Sequence, residues 1–130
     1  MNKIKILLVD DSVDFLEILS MRVISWGYDI IKAKDGSEAI KVVKEKKPNI
    51  VILDYLMPKM DGVAVLKEIR KIDSMLPVIM FTAYPNKEVM EDVEKLGINA
   101  FISKLSVYTD TLEALKTSIG IIVKNLEVDQ

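Results

Sequence analysis

Short segments rich in Ile, Val and Leu alternate with longer segments of helical period, and this alternation constrains the fold more than any other feature. The predicted strands are Ile4–Val9, Tyr28–Ala33, Ile50–Leu53, Val78–Thr82 and Ala100–Ser103. The predicted helices are Val13–Trp26, Gly36–Lys46, Val63–Ile72, Lys87–Leu96 and Val107–Leu126. The chain is therefore predicted to be an α/β protein in which each strand is followed by a helix.

Turn residues stand at the boundaries between these segments. Gly27 and Gly97 follow helix-like runs, where glycine commonly ends a helix. Asp35-Gly36 and Asp61-Gly62 precede helix-like runs and are typical of a turn that leads into a helix. The sequence contains no internal repeat, low-complexity tract or linker. These signals agree with the predicted boundaries.

Strict alternation of strands and helices predicts parallel strands joined by right-handed crossovers. Helices then cover both faces of one sheet, which explains why the predicted strands are so apolar. With 130 residues and 50% hydrophobic content, the chain suits one domain, and we expect residues 1–130 to form it. In folds of this kind, ligands bind beyond the carboxyl ends of the strands.

Polar side chains stand at four of these predicted carboxyl ends. Asp10 and Asp11 follow the first strand, and Asp54 follows the third. Thr82 ends the fourth strand, and Lys104 follows the fifth. Each residue taken singly has a structural explanation, such as a helix cap, a strand-end hydroxyl or a solvated cation. Because parallel strands bring all their carboxyl ends to one edge, we instead predict one assembled site.

The chemistry of that site follows from its residue types. Two carboxylates about 4 Å apart repel by roughly 4 kcal/mol at an effective dielectric near 20, so a cluster of three calls for a cation or for protonation. Oxygen ligands favour Mg²⁺, with Mn²⁺ as the alternative. Lys104 is then a second cation for a phosphoryl group, and the Thr82 hydroxyl is a hydrogen-bond donor to it. Asp54 can act as a nucleophile and form an acyl phosphate.

Composition excludes several other classes of protein. The sequence has no Cys and no His, which removes thiolate nucleophiles, zinc sites with imidazole or thiolate ligands, and Ser-His-Asp catalysis. A formal charge of -2, with basic and acidic residues mixed, argues against direct nucleic-acid binding. The N-terminus does not resemble a signal peptide, and no apolar stretch is long enough to span a membrane. We therefore expect a cytoplasmic protein without a membrane partner.

Four segments of the sequence resemble the receiver domain of two-component response regulators, in the order and at the spacing of that family. They are Leu8–Ser12, Leu53–Gly62, Phe81–Ala83 and Gly97–Lys104. The resemblance covers nearly the whole chain. It implies a flavodoxin-like, doubly wound, five-stranded parallel sheet of order 2-1-3-4-5, with five helices on its two faces.

The resemblance also implies roles for the site residues. Asp54 is expected to be the phosphoacceptor, and Lys104 is expected to contact the phosphoryl group. Asp11, Asp54 and the backbone carbonyl of Leu56 are the expected Mg²⁺ ligands, with Asp10 acting largely through bound water. A domain of this kind promotes its own phosphorylation and dephosphorylation but is a signalling module rather than an enzyme.

A switch and two partners follow from the same resemblance. Thr82 and Phe101 are the expected switch pair, which changes the surface formed by the fourth helix, the fifth strand and the fifth helix. The expected phosphodonor is a histidine kinase or a histidine phosphotransfer protein, and Asp14, Phe15 and Ile18 are candidates for its docking site. A downstream protein target would bind the switched surface.

The first and last helices carry more apolar residues than one buried stripe requires. In the first helix, the apolar residues lie on more than one face: Phe15, Leu16, Ile18, Leu19, Met21, Val23 and Ile24. In the last helix, Ile121 and Val123 lie outside the main apolar stripe. The excess in the last helix is explained either by a dimer or partner face or by a wide buried stripe. We expect a monomer or a weak homodimer. Gly120 argues against a long uninterrupted last helix, because glycine costs about 1 kcal/mol there relative to Ala.

The sequence departs from the family pattern directly after Lys104. Family members usually have a proline with a cis peptide bond at the next position, whereas this chain has Leu105. A cis bond before Leu would cost about 2.5–4 kcal/mol, so a trans bond is expected. Leu56 and Tyr84 flank the route of a hydrolytic water in the family, and their bulk predicts a long-lived phosphoryl group.

Two other functional classes remain as alternatives. One is a phosphorylation-independent interaction module of the same fold, although the complete set of acidic residues argues against it. The other is a phosphohydrolase with an Asp nucleophile, which would need a second Asp at position 56, where the chain has Leu56. Whether the domain is free-standing or part of a longer regulator stays open, as do the identities of its kinase and its target.

Overall fold

The computed structural model describes residues 3–83, 86–104 and 108–128, and its strands and helices follow one another as predicted. The strands are Lys5–Val9 (β1), Asp29–Ala33 (β2), Ile50–Leu53 (β3), Val78–Thr82 (β4) and Ala100–Ser103 (β5). The helices are Val13–Ser25 (α1), Gly36–Lys46 (α2), Gly62–Ile72 (α3), Lys87–Leu96 (α4) and Tyr108–Val128 (α5). Apart from the start of α5, the predicted boundaries are confirmed to within two residues.

The strands form one parallel sheet in the order β2-β1-β3-β4-β5. This order confirms the flavodoxin-like, doubly wound topology. The chain reverses direction across the sheet after β2, so that β1 and β3 lie side by side near the middle. The carboxyl ends of β1 and β3 therefore meet at the point where such folds bind ligands.

Two layers of apolar side chains hold the helices against the sheet. Along β1, Leu7 and Val9 point to the layer that contains α2, α3 and α4, while Ile6 and Leu8 point to the layer that contains α1 and α5. This alternation follows from the two-residue period of a strand. All four side chains are buried, so β1 is a central strand covered on both faces.

The turn residues have the roles that the sequence predicts. The carboxylates of Asp35 and Asp61 each accept a hydrogen bond from the backbone N–H three residues later, at the starts of α2 and α3. Gly27 and Gly97 have φ values of 99° and 84°, which glycine adopts without a steric cost. The two Asp caps mark where loops at the carboxyl edge of the sheet end, whereas the two glycines lie in loops at the opposite edge.

The last helix is longer and more regular than predicted. α5 has 21 residues, and Gly120 lies inside it without ending it. Buried Leu115, Ile119 and Ile122 attach it to the sheet, which outweighs the low helix propensity of one glycine. Among the described residues, none of the helices combines the length and the apolar character needed to cross a membrane.

Three sequence predictions fall on positions outside the described residues. They concern the start of α5 at Val107, the trans peptide bond between Lys104 and Leu105, and the position of Tyr84. These three stay predictions.

Candidate functional site

Hydrogen bonds between neighbouring strands bring the predicted site residues to one edge of the sheet. The backbone N–H of Asp54 donates to the carbonyl of Val9 at 3.0 Å, which puts Asp54 beside the end of β1. The backbone N–H of Lys104 donates to the carbonyl of Thr82 at 2.7 Å, which fixes the end of β5 against β4. The carboxyl edge of β1, β3, β4 and β5 is therefore one continuous surface.

Three carboxylates cluster at this edge. One carboxylate oxygen from each of Asp10, Asp11 and Asp54 lies within 4.8 Å of the other two. Asp10 and Asp54 are buried, whereas Asp11 is exposed. Ligand oxygens around an octahedral Mg²⁺ are about 3 to 4 Å apart, so this spacing suits a hard cation. The exposed side of the cluster, at Asp11, faces solvent.

Lys104 supplies positive charge to the same cluster. Its Nζ donates to Asp10 Oδ2 at 2.5 Å and lies 3.6 Å from Asp54 Oδ2. The other oxygen of Asp10, Oδ1, accepts a hydrogen bond from the backbone N–H of Ser12 at 3.0 Å. The Lys104 side chain is only 15% exposed, so its ion pairs are screened weakly by solvent.

Asp54 is held by hydrogen bonds on the buried side of the cluster. Its Oδ1 accepts from the backbone N–H of Tyr55 at 2.9 Å, and the buried Thr82 side chain also hydrogen-bonds to its carboxylate. Burial raises the pKa of the Asp54 carboxyl above its ordinary value, and the charge of Asp10 adds to that increase. The Lys104 ammonium and the hydrogen bonds oppose it. An ionised Asp54 is therefore poorly solvated and gains from a nearby cation.

The predicted switch residues lie on one face of the sheet. Phe101 pairs with Met80 across β4 and β5, and Thr82 is two residues beyond Met80 on the same strand. Because side chains alternate along a strand, Thr82 and Phe101 point to the layer that contains α4. Phe101 is partly buried and lines a groove of about 140 Å³ with Met90 and other residues of α4 and the α4–β5 loop.

The loop between β3 and α3 depends on a close backbone contact that the sequence did not reveal. Gly62 donates its backbone N–H to the carbonyl of Tyr55 at 2.7 Å. A Cβ atom at position 62 would lie 2.5 Å from the carbonyl oxygen of Asp54. The sequence indicated a turn and a cap here, which the structure confirms, but not this second role. The Leu56 side chain is exposed, and the use of its backbone carbonyl as a ligand stays a prediction.

Residues 6–116 match the family model of the response regulator receiver domain. The chain belongs to this family. Response regulator receiver domains serve phosphoacceptor signalling, and the acidic cluster of this receiver domain is a candidate Mg²⁺ site. The predicted family and fold are therefore confirmed.

Two regulatory proteins illustrate the similarity of this receiver domain to longer chains. A protein of Porphyridium aerugineum named "Probable transcriptional regulator ycf27" is 42% identical over 104 residues, which cover 80% of this chain and 43% of that protein. The alkaline phosphatase synthesis transcriptional regulatory protein PhoP of Bacillus subtilis is 43% identical over 83 residues, which cover 64% of this chain and 34% of PhoP. The receiver domain thus spans less than half the length of either regulator.

Two solved structures show the same architecture. The CheY of Borrelia burgdorferi, solved as a CheX-CheY-BeF3-Mg²⁺ complex, has a TM-score of 0.80 and 34% identity, with 89% of each chain covered. The receiver domain of Francisella response regulator 1452 has a TM-score of 0.83 and 26% identity, with 96% of this chain and 99% of that domain covered. The fold of this receiver domain is therefore that of CheY-like proteins.

The predicted docking residues of the receiver domain differ in exposure. Asp14 and Ile18 are exposed at the start of α1, and Ile18 is 51% exposed. Phe15 is only partly exposed, because its ring stacks on Phe81 with 5.9 Å between the ring centroids and an interplanar angle of 25°. Asp14 and Ile18 are thus available to a partner, whereas Phe15 also packs inward.

A contact between Phe15 and Lys104 is the main feature of the site that sequence reasoning missed. The Lys104 Nζ lies 4.1 Å from the centroid of the Phe15 ring. The sequence indicated Phe15 only as a docking residue. Nothing in its local spacing identifies the partner, because α1 and β5 come together only through the tertiary fold.

Proposed function

We propose that this receiver domain accepts a phosphoryl group on Asp54 in a Mg²⁺-dependent reaction and passes the signal to a protein partner. The observation that carries this proposal is that Asp54, a buried carboxylate, lies in a cluster with two other carboxylates and contacts both Lys104 and Thr82. The phosphodonor in this proposal is a histidine kinase or a histidine phosphotransfer protein. The proposed domain comprises residues 1–130.

In the transfer, a carboxylate oxygen of Asp54 forms a bond to phosphorus. The bond between phosphorus and the donor imidazole nitrogen breaks, and its electron pair stays on that nitrogen. The Asp54 carboxylate suits this role because Thr82 and the backbone of Tyr55 orient it toward the edge of the sheet. The product is an aspartyl phosphate, an acyl phosphate whose hydrolysis would end the signal.

Lys104 and Thr82 are positioned to bind the phosphoryl oxygens. The Lys104 ammonium lies 3.6 Å from Asp54 Oδ2, which is within reach of a group attached to that carboxylate. The Thr82 side chain hydrogen-bonds to Asp54 and can donate to a phosphoryl oxygen instead. Both groups would stabilise negative charge on the transferred group.

The residues present fit a resident Mg²⁺. Asp10, Asp11 and Asp54 would hold it, together with the backbone carbonyl of Leu56, and Mn²⁺ suits the same donors. When bound, the cation neutralises charge on the phosphoryl oxygens. The Borrelia burgdorferi CheY that was solved with BeF3 and Mg²⁺ supports this assignment.

The proposed response is a change of the surface formed by α4, β5 and α5. Movement of Thr82 toward the phosphoryl group would free space on the face of the sheet that it shares with Phe101, and the Phe101 ring would turn inward to fill it. To shift the population usefully, the phosphoryl group must favour one state by a few kcal/mol. A downstream protein would recognise the altered surface.

The remaining predictions about partners are part of the same proposal. The exposed residues Asp14 and Ile18 would contact the phosphodonor, together with the edge of Phe15. The CheX-CheY complex supports binding of a protein partner by a domain of this fold. The absence of direct nucleic-acid and membrane partners, the monomer or weak homodimer, and the cytoplasmic location stay predictions.

Intact-mass spectrometry after incubation with acetyl phosphate tests the proposed function. The native chain is expected to gain one phosphoryl group with Mg²⁺ and none with EDTA. Asp54→Asn should abolish the gain, whereas Asp29→Asn, which changes an exposed acid at the other end of the sheet, should retain it. A native chain that gains no phosphoryl group from acetyl phosphate or phosphoramidate would instead support the phosphorylation-independent module.

A further inference from the structure

The Lys104 ammonium lies against aromatic rings as well as carboxylates. Its Nζ is 4.1 Å from the centroid of Phe15 and 5.6 Å from the centroid of Phe81. The negative face of an aromatic ring attracts a cation at these distances, more strongly where solvent is excluded. The ammonium is therefore bounded on one side by Asp10 and Asp54 and on another by the Phe15 ring.

The backbone around Phe15 ties its ring to the acidic cluster. The backbone N–H of Phe15 donates to Ser12 Oγ at 3.2 Å, which makes Ser12 the N-cap of α1. The backbone N–H of Ser12 in turn donates to Asp10 Oδ1 at 3.0 Å. Phe15 is thus fixed to the same carboxylate that accepts the hydrogen bond from Lys104.

The buried Phe81 ring packs against the Phe15 ring. The two rings are stacked, and Phe81 is buried on β4 directly before Thr82. Phe81 is the more distant ring from Lys104 and is part of the core, so its removal would disturb packing. Phe15 is partly exposed and is the closer ring. Phe15 is therefore the residue whose effect on Lys104 can be separated from the stability of the core.

We propose that Phe15 is a positioning residue for phosphoryl transfer, because its ring holds the Lys104 ammonium over the acidic site. The proposal rests on the proposed function of Asp54 and adds a role for Phe15 in it. A lysine side chain has many rotamers, and restricting it to one costs conformational entropy. The Phe15 ring reduces that freedom, so less ordering of Lys104 is needed when the phosphoryl group arrives.

A packing role and a positioning role for Phe15 predict different results. Phe15→Leu preserves an apolar contact with Phe81 but removes the aromatic face, whereas Phe15→Tyr preserves that face. With acetyl phosphate and Mg²⁺, Phe15→Leu is expected to slow Asp54 phosphorylation roughly fivefold. Phe15→Tyr is expected to be phosphorylated at a rate within about twofold of the native rate. If the ring only filled space, the two variants would differ little from each other.

A double-mutant cycle shows whether Phe15 acts through Lys104. Lys104→Ala alone should slow phosphorylation, and adding Phe15→Leu to Lys104→Ala should cause no further decrease. An undiminished effect of Phe15→Leu in the Lys104→Ala background would overturn the proposal. So would a native rate for Phe15→Leu in the otherwise unchanged chain.

A measurement without phosphorylation separates this proposal from the proposed function. NMR spectra of the chain with labelled lysine should show Lys104 ε-methylene protons shifted upfield by the Phe15 ring, identified by their loss in Lys104→Ala. The shift should vanish in Phe15→Leu and persist in Phe15→Tyr. If the shift is present but the native chain is not phosphorylated, the proposed function fails and the contact stands. If the shift is absent, the positioning role of Phe15 is wrong even when phosphorylation occurs.

Discussion

At residue 62 the backbone of α3 passes so close to the phosphoacceptor loop that a side chain would not fit. A Cβ atom on Gly62 would lie 2.5 Å from the carbonyl oxygen of Asp54 and 2.8 Å from the Cα of Tyr55. Both of these are backbone atoms, so they could move aside only by moving the loop itself. The position of Asp54 therefore depends on the absence of a side chain at residue 62.

Gly62→Ala should displace this loop and weaken the protein. We expect the free energy of unfolding to fall by about 2 kcal/mol, a typical cost of overpacking, and phosphorylation of Asp54 by acetyl phosphate to slow. Urea denaturation and intact-mass kinetics measure the two effects.

Gly120→Ala is the matched control. A Cβ atom at Gly120 would have no atom within 4 Å, and the residue lies in the interior of α5 on its exposed face. Since alanine favours a helix more than glycine does, this change should raise the free energy of unfolding by about 0.5–1 kcal/mol. If Gly120→Ala also lowered the free energy of unfolding, the close approach at Gly62 would not explain the loss of stability in Gly62→Ala.

At the scale of elements, Arg70 joins the end of α3 to the end of α4. Its guanidinium donates to the carbonyls of Leu96 and Gly97 at the end of α4 and to those of Asp73 and Leu76 after α3. The last carbonyls of a helix have no partner within the helix, so Arg70 satisfies two of them at the end of α4. One side chain thus holds the C-terminal end of the helix that carries the proposed switched surface.

Arg70→Met should release that end of α4. The change keeps the apolar stem but loses hydrogen bonds from a charged donor, and we expect a loss of about 2 kcal/mol in the free energy of unfolding. Amide hydrogen exchange should accelerate more in the last turn of α4 than in its first turn.

The neighbouring Lys71→Met provides the control for Arg70→Met. Lys71 is exposed and pairs only with Glu68 among the described residues, an (i,i+3) surface ion pair. Its replacement should change the free energy of unfolding by less than about 0.5 kcal/mol. Equal exchange rates along α4 in native and Arg70→Met protein would show that Arg70 does not anchor the helix.

The elements themselves were predictable, but the contacts between their side chains were not. Hydrophobic periodicity and the turn residues located the strands and helices, because burial on both faces of a parallel sheet imposes that pattern. The rule that strand ends meet at one edge brought Asp10, Asp54 and Lys104 together. Arg70 donates hydrogen bonds to carbonyls at the end of α4, 26 and 27 residues later in the chain. The contact between Phe15 and Lys104 depends on the rotamers of both side chains. No sequence spacing encodes either contact.

At the scale of the whole molecule, the acidic cluster couples cation binding to folding. The three carboxylates come from two loops that are adjacent only in the folded chain. An unfolded chain would not hold them within 4.8 Å of one another, so a cation should bind the folded state selectively.

Mg²⁺ should therefore stabilise the whole protein against unfolding. A concentration of ten times the dissociation constant would add about 1.4 kcal/mol to the free energy of unfolding. Thermal or urea denaturation in Mg²⁺ and in EDTA measures this difference. Asp11→Asn should reduce it, whereas Asp29→Asn, remote from the cluster, should not. Identical midpoints in Mg²⁺ and EDTA for the native chain would contradict the assignment of a metal site.

Two consecutive residues of β4 face opposite layers of the molecule. Phe81 points toward α1 and supports the ring beside Lys104, while Thr82 points toward the layer that contains α4 and Phe101. Under the proposed function, Phe81 lies in the layer that holds the donor-docking helix α1 together with α5, and Thr82 lies in the layer that holds α4. Adjacent residues of one strand therefore link the acidic site to both helical layers of the molecule.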